Sequence, residues 1–108
     1  MRTRLAEEVT VASPALIDLE FANVLRGLLA KELISPRHAN RALTEFMRAP
    51  VQRHGHLALL QRIWRLRGNL TAYDASYVAL AELLGADLLT TDKRLAGAPG
   101  IRCHVQVL

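Results

Sequence analysis

The sequence contains a single cysteine and no long apolar run, and each of these absences excludes a class of protein. Cys103 has no partner for an internal disulfide, and no Cys-x-x-Cys pair is present to hold a metal. No uncharged apolar segment approaches the roughly 18 residues that span a bilayer. The first residues, MRTRLAEEVTV, lack the apolar core of a signal peptide. We therefore predict a protein of the reducing cytoplasm that is neither secreted nor embedded in a membrane.

Length and composition predict one folded domain. The 108 residues are 51% hydrophobic and 22% charged, which is typical of a globular domain and unlike a disordered chain. A chain of this length has no room for a second domain, so residues 1–108 are expected to form one. It also buries only a small core, and we expect a homodimer because a partner subunit would extend that core.

Positive charge is concentrated in the middle of the chain. The net charge is +4, and residues 37–67 contain seven arginines but only one acid, Glu45. Such a basic stretch is typical of a surface that binds phosphates or an acidic protein partner. A solvated helix face without a partner is an equally open interpretation.

Hydrophobic periodicity and turn residues predict alternating helices and strands. Ser13 and Ser35, each followed by proline, are candidate N-caps of two helices. The full predicted order is the end of a helix (1–8), a strand (9–12), the two helices that open at Ser13 and Ser35, a short strand (50–54), a helix (56–68), a helix (71–85), a strand (86–92), a helical turn (93–97) and a final strand (102–108). This order predicts an α/β fold with a largely parallel sheet.

Asp74 and Asp92 bracket a helix and a strand of matching length. The helix from Asp74 to Leu84 descends about 15 Å, and the strand that ends at Asp92 climbs back about 16 Å. Both carboxylates are therefore predicted at the carboxyl edge of the sheet, where open α/β folds bind ligands. Two carboxylates at this distance repel unless a cation joins them, and oxygen ligands suit Mg²⁺ or Mn²⁺.

A structural interpretation of both aspartates is also open. Thr71 and Asp74 have the spacing of a helix capping box, and Asp92 can cap the helical turn that follows it. Glu20 is a third candidate, because it stands on a mostly apolar helical stretch with Asn23 one turn away. For Glu20, an acid that faces solvent at the edge of the core is an equally open interpretation. Asp18, on the same helix, is a decoy candidate for which mere exposure is equally open.

Two aromatic features have a structural interpretation. His54 and His56 are interpreted as solvated residues beside a loop rather than as metal ligands. Trp64 is interpreted as a core or subunit-interface residue rather than as a platform for RNA bases.

The segments LIDLEFANVLRG, LTAYDASYVALAELLGADLLTTDKRL and HVQVL resemble the PIN-domain ribonucleases, specifically the VapC-type toxins of toxin–antitoxin pairs. The resemblance implies a three-layer α/β sandwich with a mainly parallel sheet, and an endoribonuclease that is neutralised by a cognate antitoxin. It also implies roles for individual residues. Glu20, Asp74 and Asp92 would be catalytic carboxylates that hold Mg²⁺ or Mn²⁺, Asn23 and Thr91 would support them, and Arg94 would contact the RNA backbone.

One segment of the family pattern has no counterpart in this sequence. The family normally begins with a strand bearing V-x-D-x-S, whose aspartate is a metal ligand and which lies centrally between the strands represented here by 9–12 and 87–91. Three explanations compete: the natural protein starts upstream of Met1, the chain is an inactive remnant, or another chain supplies the strand. We favour the first. The corresponding alternative function is a catalytically inactive truncated toxin that binds the antitoxin or RNA. A structure-specific DNA nuclease is a third hypothesis.

Overall fold

The computed structural model describes residues 10–108. The chain divides into two compact units, Met1–Arg53 and His54–Leu108. The helix predicted over residues 1–8 lies outside the described residues, as does the first residue of the predicted strand 9–12.

The first unit contains two helices and a two-stranded sheet. Its elements are β1 (Val11–Pro14), α1 (Leu16–Ala30), α2 (Pro36–Arg48) and β2 (Val51–His54), and β1 pairs with β2. These elements confirm the short strand predicted at 50–54 and both of the helices predicted in this part of the chain.

The two Ser-Pro dipeptides have different roles. Ser35 caps α2 as predicted, because its hydroxyl accepts the His38 amide at 3.1 Å and Pro36 occupies the first turn. The prediction for Ser13 is wrong: it lies in β1, and α1 begins after Ala15 without a side-chain cap. A residue before proline favours extended backbone, which suits a strand as well as an N-cap. Pairing with β2 decides the outcome for Ser13.

Stacked aromatic rings join α1 to α2. The Phe21 and Phe46 rings lie 4.0 Å apart between centroids and are nearly parallel. Ile17, Phe21, Val24 and Leu28 recur at helical spacing, which predicts a buried stripe on this helix. Leu25 is buried on α1, whereas Val24 is 58% exposed. Asp18 is not merely exposed, since it accepts a hydrogen bond of 3.0 Å from Arg53, whose guanidinium also lies over Phe46.

The second unit is built around one long helix. Its central element is α4 (Ala72–Leu84), which ends at Gly85 in the left-handed conformation, with φ of 62°. Glycine adopts this conformation without the steric cost of a side chain. The remaining elements are a 3₁₀ turn (Leu57–Leu59), α3 (Leu60–Arg65), β3 (Leu88–Thr90), α5 (Lys93–Ala96) and β4 (Val105–Val107).

The core of this unit lies where α4 packs on α3 and β3. Val78 is fully buried on α4, and Leu59, Leu66 and Leu88 are also buried. The amphipathic pattern of this helix predicts that Leu60, Ile63, Trp64 and Leu66 mostly point inward, and this prediction is only half right. Ile63 and Leu66 are buried, but Leu60 is 51% exposed and Trp64 is 66% exposed. Trp64 is therefore not a core residue of this unit.

An ion pair fastens α3 to α4 and to the loop before β4. Arg62 donates two hydrogen bonds to Glu82, at 2.6 and 3.0 Å, and a third to the Gly100 carbonyl at 2.7 Å. Glu82 also accepts the Arg102 amide at 2.8 Å. The hydrogen bond from Arg62 holds the pKa of Glu82 below its ordinary value, so this carboxylate is ionised at neutral pH.

The strands described form two small sheets. β3 and β4 are parallel, as predicted, with Leu88 opposite Val105 and Thr90 opposite Val107. The other sheet consists of β1 and β2. These sheets and the helices give the mixed α/β fold predicted from the sequence, although the strands do not form one continuous sheet. Across residues 10–108, no helix is long and apolar enough to cross a membrane.

Candidate metal-binding site

Asp74 lies in the first turn of α4. The hydroxyl of Thr71, the N-cap residue, accepts the Asp74 amide at 3.2 Å, which confirms the predicted cap. That bond uses the backbone of Asp74 and leaves its carboxylate available. A negative side chain at this position also interacts favourably with the helix dipole.

Asp92 follows the carboxyl end of β3 and caps α5. Its Oδ1 accepts the Arg94 amide at 3.0 Å, so the predicted capping role is confirmed. Its own amide donates to the Thr90 hydroxyl at 3.0 Å. Two hydrogen bonds thus fix the backbone around Asp92, and its side chain remains 35% exposed to solvent.

Arg94 links the two aspartates electrostatically. Its Nε donates to Oδ1 of Asp92 at 3.1 Å and its Nη2 donates to Oδ2 at 3.0 Å, forming a bidentate pair. The hydrogen bonds from Arg94 hold the pKa of Asp92 below its ordinary value. The pair with Asp92 raises the pKa of Arg94, and the negative charge of Asp74 raises it further. Both aspartates therefore act on one cation.

The donor set around Arg94 suits a hard divalent cation. Mg²⁺ is commonly bound by one or two carboxylates and completes its octahedron with water. Asp74 and Asp92 supply two carboxylates; Arg94 is bonded to Asp92, and the negative charge of Asp74 also raises the pKa of Arg94. Among residues 10–108, neither unit contains a cluster of three or more His, Cys, Asp or Glu side chains that could hold a metal ion. Asp74 and Asp92 of the second unit are therefore a candidate pair of carboxylate ligands, and a role for them in metal binding stays a prediction.

Glu20 and Asn23 lie on α1, in the first unit. Both are exposed, and the Oδ1 of Asn23 accepts a hydrogen bond of 3.4 Å from Arg26. The exposure of Glu20 agrees with the alternative of an acid that faces solvent at the edge of the core. Roles for Glu20 and Asn23 as metal ligand and supporting residue remain predictions from the family resemblance.

The supporting threonine found in the structure is Thr90. Its hydroxyl accepts the Asp92 amide, whereas Thr91, the residue expected from the resemblance, is exposed. A threonine two residues before an aspartate often accepts that residue's amide in a local turn. The spacing T-x-D was therefore the signal that favoured Thr90. A supporting role for Thr91 stays a prediction.

The other candidate ligands form no metal cluster among residues 10–108. The Nε2 atoms of His54 and His56 are buried and lack a hydrogen-bond partner among residues 10–108, so the prediction that these histidines are solvated is wrong. Cys103 is a half-buried free thiol, and burial raises its pKa above the ordinary value. Because the thiolate is the nucleophilic form, Cys103 is disfavoured as a catalytic group at neutral pH.

The arginines of residues 37–67 divide into two groups. Three of them have structural contacts: Arg53 with Asp18, Arg62 with Glu82, and Arg67, whose guanidinium lies 4.5 Å from the centre of the Trp64 ring. Four are exposed to solvent, namely Arg37, Arg41, Arg48 and Arg65. The basic surface predicted from the sequence is therefore smaller than its count of arginines suggests.

Comparison with known proteins shows the family of this chain. The PIN domain family matches residues 2–101 and so spans both compact units. Ribonuclease VapC9 of Mycobacterium tuberculosis is 42% identical over 95 residues, which are 88% of this chain and 75% of that protein. Ribonuclease VapC1 of the same organism is 39% identical over an alignment of 109 residues that covers 100% of this chain and 81% of that protein. Ribonuclease VapC12 is 35% identical over 99 residues, or 92% and 77% of the two chains. The chain therefore belongs to the PIN-domain family and, within it, to the VapC-type ribonucleases.

Proposed function

We propose that this protein is a metal-dependent endoribonuclease toxin of a type II toxin–antitoxin pair. The observation that carries the proposal is the relation to VapC ribonucleases, and it is supported by Asp92, which binds Arg94, and by Asp74, whose charge raises the pKa of the same guanidinium. A position that already attracts a guanidinium is suited to the charge of a divalent ion. The match to one PIN family across residues 2–101 supports a single functional domain.

Asp74 and Asp92 would bind Mg²⁺ or Mn²⁺, with Glu20 as a third carboxylate and Asn23 and Thr91 in support. When bound, such an ion supplies a water of lowered pKa and offsets the charge that builds on the attacked phosphate. The protein's own part is to hold the carboxylates in place. The Thr71 and Thr90 hydroxyls do this by fixing the backbone at Asp74 and at Asp92.

The exposed arginines are proposed to attract RNA. Four arginines of residues 37–67 are exposed, namely Arg37, Arg41, Arg48 and Arg65. Attraction between such charges and the phosphates of RNA weakens as the salt concentration is raised. Arg94 lies beside Asp92 and is proposed to contact the RNA backbone there.

The proposed protein partners are a cognate antitoxin and a second copy of this chain. Leu57, Leu60 and Trp64 recur at helical spacing, and they are 85%, 51% and 66% exposed. A row of large exposed apolar residues marks a surface that another protein covers. We propose that this row, hereafter the α3 stripe, forms the homodimer contact.

The toxin and its antitoxin are proposed to act in the cytoplasm.

Cleavage of a mixed RNA pool by the purified chain tests the function. The reaction is run with Mg²⁺, Mn²⁺ or EDTA, and with the variants Asp74→Asn and Asp92→Asn. Asparagine remains a good N-cap, so Asp92→Asn removes the charge while keeping the cap. Asp87→Asn is the matched control. Asp87 immediately precedes β3, at the end of the strand opposite to Asp92, and its Oδ2 accepts a hydrogen bond from Gln106 at 2.7 Å.

The proposed function predicts cutting that requires a divalent ion, survives in Asp87→Asn and disappears in the two site variants. Cutting that persists in both site variants would reject these aspartates as the catalytic centre. If the wild type binds RNA or antitoxin without cutting under any metal, the inactive binding module becomes the better assignment. Competition between RNA and branched DNA separates a ribonuclease from a DNA nuclease.

A further inference from the structure

The carboxylate of Asp92 is nearly saturated by a single residue. A carboxylate offers about four lone-pair positions for hydrogen bonds or metal coordination. Three donors of Arg94 use them: the amide and Nε on Oδ1, and Nη2 on Oδ2. A metal ion that coordinates Asp92 therefore competes with groups already bonded to it.

The three bonds differ in how readily they can be given up. The bond from the Arg94 amide caps α5, so its loss would disturb the helix. The guanidinium bonds belong to a side chain that is 90% exposed and regains water when it leaves. Exposed ion pairs contribute little net stability because water and salt screen them. The guanidinium is thus the group that an incoming ion can displace.

We propose that Arg94 is an internal competitor of the divalent ion: its guanidinium neutralises Asp92 in the metal-free protein, and the ion displaces it on binding. The competition rests on the proposed function, since it requires that Asp74 and Asp92 bind a metal. Its benefit to the metal-free chain is electrostatic. Two carboxylates without a cation repel each other, and Arg94 supplies the missing positive charge until the ion arrives.

The neighbouring Lys93 offers a matched control. Lys93 and Arg94 are consecutive in α5 and both are exposed, so replacing either with glutamine removes one charge from the same short helix. Among the described residues, the hydrogen bonds to the Asp92 carboxylate come from Arg94 alone. Any difference between the two variants therefore isolates the contact from the general loss of charge.

Titration with Mn²⁺ alone tests the proposal without any measurement of activity. The free ion is counted by its electron paramagnetic resonance signal for the wild type, Arg94→Gln, Lys93→Gln and Arg94→Lys. We expect Arg94→Gln to bind Mn²⁺ about two- to fivefold more tightly, as the removal of an exposed ion pair allows. Lys93→Gln stays within about 1.5-fold of wild type because salt screens a distant charge. Arg94→Lys falls between wild type and Arg94→Gln, because lysine keeps the charge but loses the bidentate geometry.

Equal affinities for Arg94→Gln and Lys93→Gln, or weaker binding by Arg94→Gln, would overturn the competition while leaving the metal site intact. Failure of every protein, wild type included, to bind Mn²⁺ would reject the metal site itself and the competition with it.

Nuclear magnetic resonance of the wild type provides a second test that needs no glutamine variant. The Nε–H signal of Arg94, assigned by its absence in Arg94→Lys, shifts on addition of Mg²⁺ if the guanidinium is released. An unchanged signal at saturating Mg²⁺ would contradict release.

Discussion

At the scale of single residues, the aspartates of this chain combine structural and chemical roles that sequence patterns present as alternatives. Asp92 caps α5 through one oxygen and binds a guanidinium through both. Asp74 uses its amide for the α4 cap and keeps its carboxylate available. A capping position is therefore not an argument against metal binding, because the two roles draw on different atoms or on different lone pairs of one group.

The substitution Asp74→Asn separates these roles by experiment. We expect the free energy of unfolding without metal to change by less than about 0.5 kcal/mol, since the cap bond comes from the backbone. Stabilisation by millimolar Mn²⁺, which follows from preferential binding to the folded state, should be lost. Urea unfolding with Mn²⁺ and with EDTA measures both effects. A metal-free loss near the roughly 1 kcal/mol of a cap would make Asp74 mainly a structural residue.

Glu82 is the residue whose ionisation should matter most to stability within the second unit. Its side chain is 13% exposed and is bound by Arg62, which is 21% exposed. Loss of the charge in Glu82→Gln is expected to lower the free energy of unfolding by about 1–3 kcal/mol at neutral pH, because it weakens a charge-assisted pair. Thermal or urea unfolding of the two proteins measures the difference. A variant as stable as wild type would mean that the pair is replaceable.

The pH dependence of the same pair has a definite sign. The pKa of Glu82 is lowered in the folded state from its ordinary value of 4.5, so the unfolded chain binds the proton more readily. The stabilisation is therefore complete above the ordinary pKa and is lost as pH falls through the lowered one. Unfolding measured along an acid series should bring wild type and Glu82→Gln together at low pH. A gap that stays constant with pH would contradict this assignment.

At the scale of elements, helix ends decide where the candidate site forms. Thr71 begins α4 and Gly85 ends it, so the helix returns the chain to β3, whose end carries Asp92. Both ends are local signals, an N-cap hydroxyl and a residue with positive φ, and both were readable in the sequence. The site thus depends on short-range chemistry at the ends of a buried helix.

Thr71→Ala should lower the free energy of unfolding by about 1 kcal/mol, because the Asp74 amide loses its hydrogen-bond acceptor. For a chain of this size, that corresponds to a fall of about 4–8 °C in Tm. Thr71→Ser keeps the hydroxyl and serves as the control, with most of the stability retained. Calorimetry or thermal circular dichroism records the change. Equal losses in alanine and serine variants would show that the methyl group, not the cap bond, is what matters.

At the scale of the whole molecule, exposed apolar surface is the feature that the chain by itself leaves unexplained. The α3 stripe exposes three large side chains, although its neighbours Ile63 and Leu66 are buried. One face of α3 is covered by its own unit, and the other face is the surface that we propose a second copy of the chain covers.

The double variant Leu60→Ser with Trp64→Ser is expected to shift a dimer to monomer. Burial of each large side chain contributes roughly 1.5–3 kcal/mol to the free energy of association. The loss of two such side chains therefore weakens the dimer by more than about tenfold. Sedimentation velocity over a range of concentrations measures the change. Leu33→Ser, at a position 66% exposed in the loop after α1, is the control. A wild type that remains monomeric at high concentration, or a double variant that still dimerises, would rule out the stripe as the dimer contact.

The sequence alone determined the element types, the caps at Ser35, Thr71 and Asp92, and the family, because these depend on local periodicity, local hydrogen bonds and segments that can be compared directly. Only the tertiary structure decided that Ser13 belongs to a strand and that Val24 and Trp64 face solvent. Those outcomes depend on what packs against each element. The pairing of Arg94 with Asp92, and of Arg62 with Glu82, was likewise decided by folding, since a sequence counts charges but does not state which of them meet.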